Sequence, residues 1–162
     1  MSTIFQKLEW SYSVKTHWFL TVFRFLLGLN LLFAGISHLT IARLEFVAQV
    51  PNWVPLSDDL VVLLSGIVEI SLGLALVLLP KWKALVGWVV AIFFILIFPG
   101  NIAQYVNQID AFGLDTDRAR LIRLFFQPVL VLWALWSTGA FKAYLNRKNH
   151  SNKKMKAKII CQ

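Results

Sequence analysis

The chain is poor in cysteine, in histidine and in charge. Its one cysteine, Cys161, stands next to the C-terminus. That excludes an intramolecular disulfide, a CxxC pair and a Cys-rich metal site, and leaves no internal dithiol for redox chemistry. Histidine occurs three times, as His17, His38 and His150; the first and last fall outside the apolar runs, so neither haem nor metal ligation is expected. Charged residues make up 15% of the chain, against ~25% in a soluble domain. What fills the space is apolar: hydrophobic residues reach 58% and the mean hydropathy is +0.67. An ordinary soluble domain is thereby excluded and an integral membrane protein implied. The 162 residues suit one domain. No cleavable leader is expected, because the first apolar run is too long and no A-x-A-like site follows it.

Four apolar runs are long enough to cross a bilayer core, which takes ~20 residues. They cover about Trp18–His38, Leu60–Leu79, Ala84–Gln104 and Ala119–Phe141. The fold class is therefore an all-α membrane protein, a four-transmembrane-helix bundle with a short interfacial segment between helices 1 and 2. The chain divides into an N-terminal segment (1–17, a short interfacial helix or disorder), a membrane domain (18–141) and a basic tail (142–162), which reads as disordered beyond its first turns. Residues 39–59 carry an amphipathic pattern at Ile41, Leu44, Val47 and Ala48, then Val50-Pro51-Asn52-Trp53-Val54-Pro55. Two prolines stop a helix and Trp53 suits a headgroup region, so this segment is predicted to lie over the bundle as a lid. Pro80-Lys81-Trp82-Lys83 allows only a tight helical hairpin.

Basic residues set the orientation. Eleven of the 16 Lys and Arg fall in the N-terminal segment, the Lys81/Lys83 hairpin and the tail, and the other two connections hold only Arg43, Arg118 and Arg120. The positive-inside rule puts both termini in the cytoplasm, the multi-pass chain in a bacterial-type inner membrane, and Trp18, Trp82 and Trp136 near the inner interface. The basic block follows a membrane span directly, so it speaks for lipid attraction and not for nucleic acid.

Polar residues inside the runs fall on stripes. Arg24, Gly28, Leu31, Gly35 and His38 share one face of the first run. Ser65, Gly66, Glu69 and Gly73 share one face of the second, and Arg123, Gln127, Leu130, Ala134 and Ser137 one face of the fourth. A carboxylate in mid-membrane costs roughly ~3 kcal/mol or more unless paired, neutralised or set against water. Glu69 and Arg24 are candidates for an ion pair that fixes helix register; the other reading is a polar site for a proton or small ligand. His38, Asn101, Arg123 and Gln127 could line a pocket opening away from the cytoplasm, capped by Trp53, or could simply hold helices together. Pro99-Gly100 and Pro128 should loosen their helices nearby.

Several of these pieces occur together in an order that resembles the DoxX family of small four-helix membrane proteins. They are Arg24 with Gly28, Ala34-Gly35-Ile36-Ser37-His38, the Val50–Pro55 turn, Ser65-Gly66-Ile67-Val68-Glu69 with Gly73, Phe98-Pro99-Gly100-Asn101-Ile102, and Arg123–Gln127 with Trp133-Ala134-Leu135-Trp136. The resemblance spans roughly residues 20–140. It implies the four-helix fold and a subunit or accessory of a quinone-linked or thiol-linked redox system. No intrinsic cofactor is expected; a quinone is the candidate ligand, with donors from His38, Asn101, Arg123 and Gln127 and a proton from Glu69. Candidate partners are the lipid bilayer, a redox enzyme subunit that supplies electrons, and a second copy of the chain. The alternatives are a small permease component for an anion or weak acid, with Arg24 and Arg123 as counter-charges, and a non-catalytic scaffold.

Overall fold

A computed structural model describes residues 14–160. Among the described residues six helices follow in order: α1 (Trp18–Leu39), α2 (Arg43–Val47), α3 (Asp58–Leu78), α4 (Lys83–Val106), α5 (Asp117–Ser137) and α6 (Ala140–Ile160), with a 3-10 turn at Pro80–Trp82 between α3 and α4. Among the described residues there is no strand. Helices α1, α3, α4 and α5 are long and apolar enough to span a membrane, and the protein is a multi-pass, all-α membrane protein. Its polarity is turned outside in. Phe33, Leu96, Phe125 and Leu132 point outward, while Arg24, Glu69, Gln104 and Gln127 are buried, as lipid demands of polar side chains.

Local chemistry explains the boundaries. The His17 side chain accepts from the Phe19 N–H, and Thr116 Oγ1 accepts from the Ala119 N–H, capping α1 and α5. Asp58 and Asp59 fill the first turn of α3, where the helix dipole favours negative charge. Pro80 opens the hairpin turn, a position that needs no N–H. The fourth span ends at Ser137, four residues before the predicted Phe141, because Gly139 takes φ +70°, the usual stop for a helix. Where the sequence reads as disordered beyond the first turns of the tail, α6 runs on from Ala140 to Ile160. Its start is anchored, since Ala140 and Ala143 are buried with Ala84 and Val14, and docking offsets the poor apolar periodicity beyond it. Of the proposed N-terminal helix, residues 1–13 lie outside the described residues, and 14–17 are not helical.

The spans associate as two hairpin pairs, α1 with α3 and α4 with α5, which meet each other over smaller areas. The α1–α3 seam is a glycine contact. A Cβ on Gly35 would come within 2.7 Å of the Gly66 carbonyl oxygen, and one on Gly73 within 2.7 Å of the Gly28 carbonyl oxygen. Backbones that touch twice, one heptad apart, admit a single antiparallel register. The α4–α5 seam is joined by amides: Asn101 Nδ2 donates to Gln127 Oε1 (2.9 Å), and Gln127 Nε2 donates to the Phe94 carbonyl (2.6 Å). Both helices continue through their prolines, Pro99 and Pro128. Phe94 lies one residue before Ile95, whose carbonyl has no helical donor because Pro99 lacks an N–H. Leu27, Leu31, Leu76, Val90, Phe94 and Ala134 form the core between the pairs, and Trp133 Nε1 ties α5 to the Phe23 carbonyl of α1 (3.1 Å).

Candidate functional site

The pairs part towards the end of the bundle that carries residues 40–57 and 107–116, here the loop end; the opposite end, with the 3-10 turn and α6, is the tail end. A cavity of about 680 Å³ opens there, lined by all four spans and by the connections. Its walls are mostly apolar, among them Leu27, Leu31, Phe94, Ile97, Phe126 and Leu130. His38, Glu69, Asn101, Arg123 and Gln127 converge on it, so the structure brings together five of the six polar residues singled out above.

Arg24 is the sixth, and it is elsewhere. The Arg24–Glu69 pair weighed from the sequence is not formed. Arg24 Nη1 donates to the Leu76 carbonyl at 2.6 Å. The physical reason is register. With Gly28 against Gly73 and Gly35 against Gly66, Glu69 falls near Leu32, about two turns of α1 from Arg24, or ~12 Å at ~1.5 Å per residue. An arginine side chain does not bridge that gap.

Glu69 faces His38 instead. It is 4% exposed, and its Oε2 lies 3.4 Å from His38 Nδ1. His38 Nδ1 also lies 3.0 Å from Ser65 Oγ, which is 2.9 Å from the Val62 carbonyl. Two proton arrangements satisfy this cluster. Either Ser65 donates to Val62 and the imidazole N–H points at Ser65 and the carboxylate, or Ser65 donates to a bare Nδ1. In neither does Glu69 Oε2 gain a good hydrogen bond; it is a buried oxygen with no partner at bonding geometry. A carboxyl in that position is an acceptor waiting for a proton or a donor. Gly66 makes the approach possible, since a Cβ there would sit 2.9 Å from His38 Cβ.

The other wall is built around Arg123. Its Nη2 donates to Gln49 Oε1 at 3.1 Å, and Gln49 Nε2 donates in turn to Gln104 Oε1 at 2.7 Å. The guanidinium stands 4.5 Å from the centroid of Phe112. Among the described residues no carboxylate lies within 4.0 Å of it, so this wall is a cation without a counter-charge. The Asn101 and Gln127 amides are spent largely on each other and on Phe94, which leaves Arg123 and the imidazole as the donors free to meet a ligand.

The predicted lid is only partly where expected. Trp53 lines the rim but is 71% exposed. The ring roof is Phe46 of α2, edge-on to both His38 and Phe112. Of the amphipathic pattern, Ile41 and Leu44 are exposed, while the neighbouring Gln49 turns in. The roof is held down by hydrogen bonds: Glu45 accepts from the Phe112 N–H at 2.6 Å, and Arg43 grips Asp59 with two bonds of 2.7 Å. Bonding to Asp59 holds the Arg43 guanidinium above its ordinary pKa. Arg120 fastens the second connection to Asp110, Asp117 and the Leu114 carbonyl. Phe112 takes φ +58°, a left-handed conformation that is uncommon for a bulky residue and tends to mark functional segments. Gln49, Phe46 and Phe112 were missed from the sequence; the one signal was the side-chain type of Gln49 amid apolar neighbours.

Among the described residues no three His, Cys, Asp or Glu side chains gather so as to hold a metal ion. No curated protein and no solved structure matches the chain. Residues 27–138 match the family described as a domain of unknown function, DUF8561. The match takes in both seams and every residue lining the cavity, leaves Arg24 just outside, and establishes that the chain belongs to the DUF8561 family.

Proposed function

We propose that the protein binds a quinone-type molecule in this cavity as a subunit or accessory of a membrane redox system, in the manner its DoxX-like motifs suggest. The observation that carries the reading is one chamber with apolar walls and two unlike polar poles, Arg123 on one side and the His38–Glu69 pair on the other. Ligand sites of this size are typically apolar with a few convergent polar groups. A quinone has two carbonyls to take N–H bonds and an apolar body to fill the rest. Its reduction takes two electrons and two protons. The electrons would come from a redox centre on a partner enzyme, and His38 and Glu69 stand where a proton could be handed to a bound oxygen. In this reading the loop end faces away from the cytoplasm, both termini lie inside, and the membrane is a bacterial-type inner membrane.

The test is binding of decylubiquinone to the purified full-length chain in detergent, followed by tryptophan quenching and thermal shift. Saturable quenching with a raised melting temperature is expected, lost in Arg123→Met and weakened in His38→Phe. Unsaturable partitioning, the same in all three proteins, would sink it. One observation favours a second reading: the Arg123 guanidinium has no carboxylate beside it, which suits an anion or weak acid. Electrogenic uptake of a weak acid into proteoliposomes, without quinone binding, would select that reading.

A further inference from the structure

The contact between α1 and α5 is closed in one half of the bundle and open in the other. Towards the tail end Phe23 stands edge-on to Trp133 and Trp136, with centroids 6.2 and 5.4 Å away, and Trp133 is bonded to the Phe23 carbonyl. Two turns nearer the loop end the same helix faces carry Asn30, seven residues after Phe23, and Phe126, seven before Trp133. Antiparallel helices that stayed in contact would bring these two together. Instead both are exposed and both line the cavity, as does exposed Phe33 one turn beyond Asn30. The chamber therefore reaches the lipid-facing surface between α1 and α5. Asn30 is out of place there. It lies ~18 Å along α1 from Trp18 at ~1.5 Å per residue, near the middle of a hydrocarbon core ~30 Å thick. Among the described residues its amide has no hydrogen-bond partner. A bare amide facing lipid is costly, so its partner must come from outside the chain.

Other ways in are obstructed. Phe46 and Phe112 roof the loop end, with ring centroids 4.6 Å apart. On the side between α3 and α4 the connection crosses the cavity: Gln49 bonds Gln104 at 2.7 Å, and its carbonyl stands against Gly100. Leu96, an exposed lining residue of α4 away from the α5 seam, is apolar. We infer that the chamber exchanges its ligand with the bilayer through the gap between α1 and α5, and that the Asn30 amide takes the ligand's polar head at that threshold. The ligand class follows: a membrane-dissolved amphiphile whose head enters the chamber and whose apolar tail stays in lipid beside Phe33 and Phe126. The inference rests on the reading of the cavity as a ligand site and narrows it, because a water-borne anion gains nothing from an opening at mid-membrane.

Two readouts on the full-length chain in phosphatidylcholine liposomes test this. A small bilayer-dissolved aryl diazirine, photolysed and mapped by mass spectrometry, should label Leu31 and Phe94, which line the chamber and are buried from the outer surface. Asn30→Phe, which plugs the gap, should cut that labelling severalfold, and Leu96→Phe should leave it unchanged. Stopped-flow tryptophan quenching by decylubiquinone should show association slowed severalfold in Asn30→Phe and unchanged in Leu96→Phe. Asn30→Leu should weaken decylubiquinone binding about fivefold, the worth of one hydrogen bond in a membrane. Each substitution puts an apolar side chain at an exposed position, and unchanged melting temperatures check that the bundle is intact. Absence of label from Leu31 and Phe94, equal effects of Asn30→Phe and Leu96→Phe, or full affinity in Asn30→Leu would each overturn the proposal. If the labelling pattern holds and decylubiquinone does not bind, the route stands and the quinone reading falls. If decylubiquinone binds and the label stays out, the route falls and the quinone reading stands.

Discussion

The α1–α3 seam and the α4–α5 seam join helices of similar length by opposite means. The first brings backbone against backbone: Gly28 meets Gly73 and Gly35 meets Gly66 with no room for a methyl group. The second is tied by the Asn101–Gln127–Phe94 hydrogen bonds, and its close glycine, Gly87, meets the Thr138 side chain and not a facing backbone. Lipid removes the usual hydrophobic drive between helices, so a seam must live on close packing or on polar bonds. The glycine seam is rigid in register and carries the His38–Glu69 pair on its edge. The amide seam spends its amides largely within itself and leaves Arg123, one turn from Gln127, as the donor facing the cavity. The difference teaches that the chamber has one wall set by sterics and one by hydrogen bonding, and the two should respond differently to substitution.

The largest effect should come from the glycine seam. Gly35→Ala and Gly73→Ala each force a Cβ to within 2.7 Å of a backbone oxygen, and overpacking of that kind costs about 1–3 kcal/mol. Thermal unfolding in one detergent should show each variant well below wild type, and the double variant should fail to give a monodisperse bundle. A neutral outcome would mean the seam is looser than the structure has it.

Next comes the amide seam. Gln127→Leu strands the Asn101 amide and removes the added bond to the Phe94 carbonyl. Interhelical hydrogen bonds in membranes average ~0.6 kcal/mol and reach ~1.7, so a loss of about 1 kcal/mol is expected, less than at Gly35 or Gly73. If Gln127→Leu proved the more damaging, the comparison would be reversed.

The polar pair on the edge can be read by two double-mutant cycles on stability. His38→Phe with Glu69→Gln should show a coupling of about 0.5 kcal/mol or more, as residues in contact do. Arg24→Met with Glu69→Gln should be additive to within about 0.5 kcal/mol, because the two lie far apart and share no partner. Strong coupling in the second cycle would break the register assigned to α1 and α3.

The smallest effect is a control on the first. Gly100 is also a helical glycine, but a Cβ there would meet only the Gln49 carbonyl oxygen, at 3.3 Å. Alanine gains up to ~1 kcal/mol of helix propensity, against a contact that the connecting segment can relax. Gly100→Ala should therefore change the melting temperature little. A loss as large as that of Gly35→Ala would show that the roof segment is held as tightly as the seam.

Much of this was legible in the residues. Long apolar runs with few charges can only be spans, and side chains three and four apart must share a helix face, so the stripes Arg24–His38 and Ser65–Gly73 could be drawn before any fold was known. Burial then follows, since lipid rejects what those stripes carry. Hidden from the sequence were the pairings between stripes. Whether Glu69 meets Arg24 or His38 depends on where one helix stops sliding along the other, and that is decided by two glycine contacts between residues far apart in the chain. The roof was hidden for the same reason. Apolar periodicity in residues 41–48 cannot say which side faces lipid and which faces protein, and only the hydrogen bonds of Gln49 and Glu45 to distant partners turn Phe46 inward. Residue chemistry and helical periodicity thus determined the spans and their inner faces, while register and connection geometry, which are long-range and steric, decided which polar groups share a cavity.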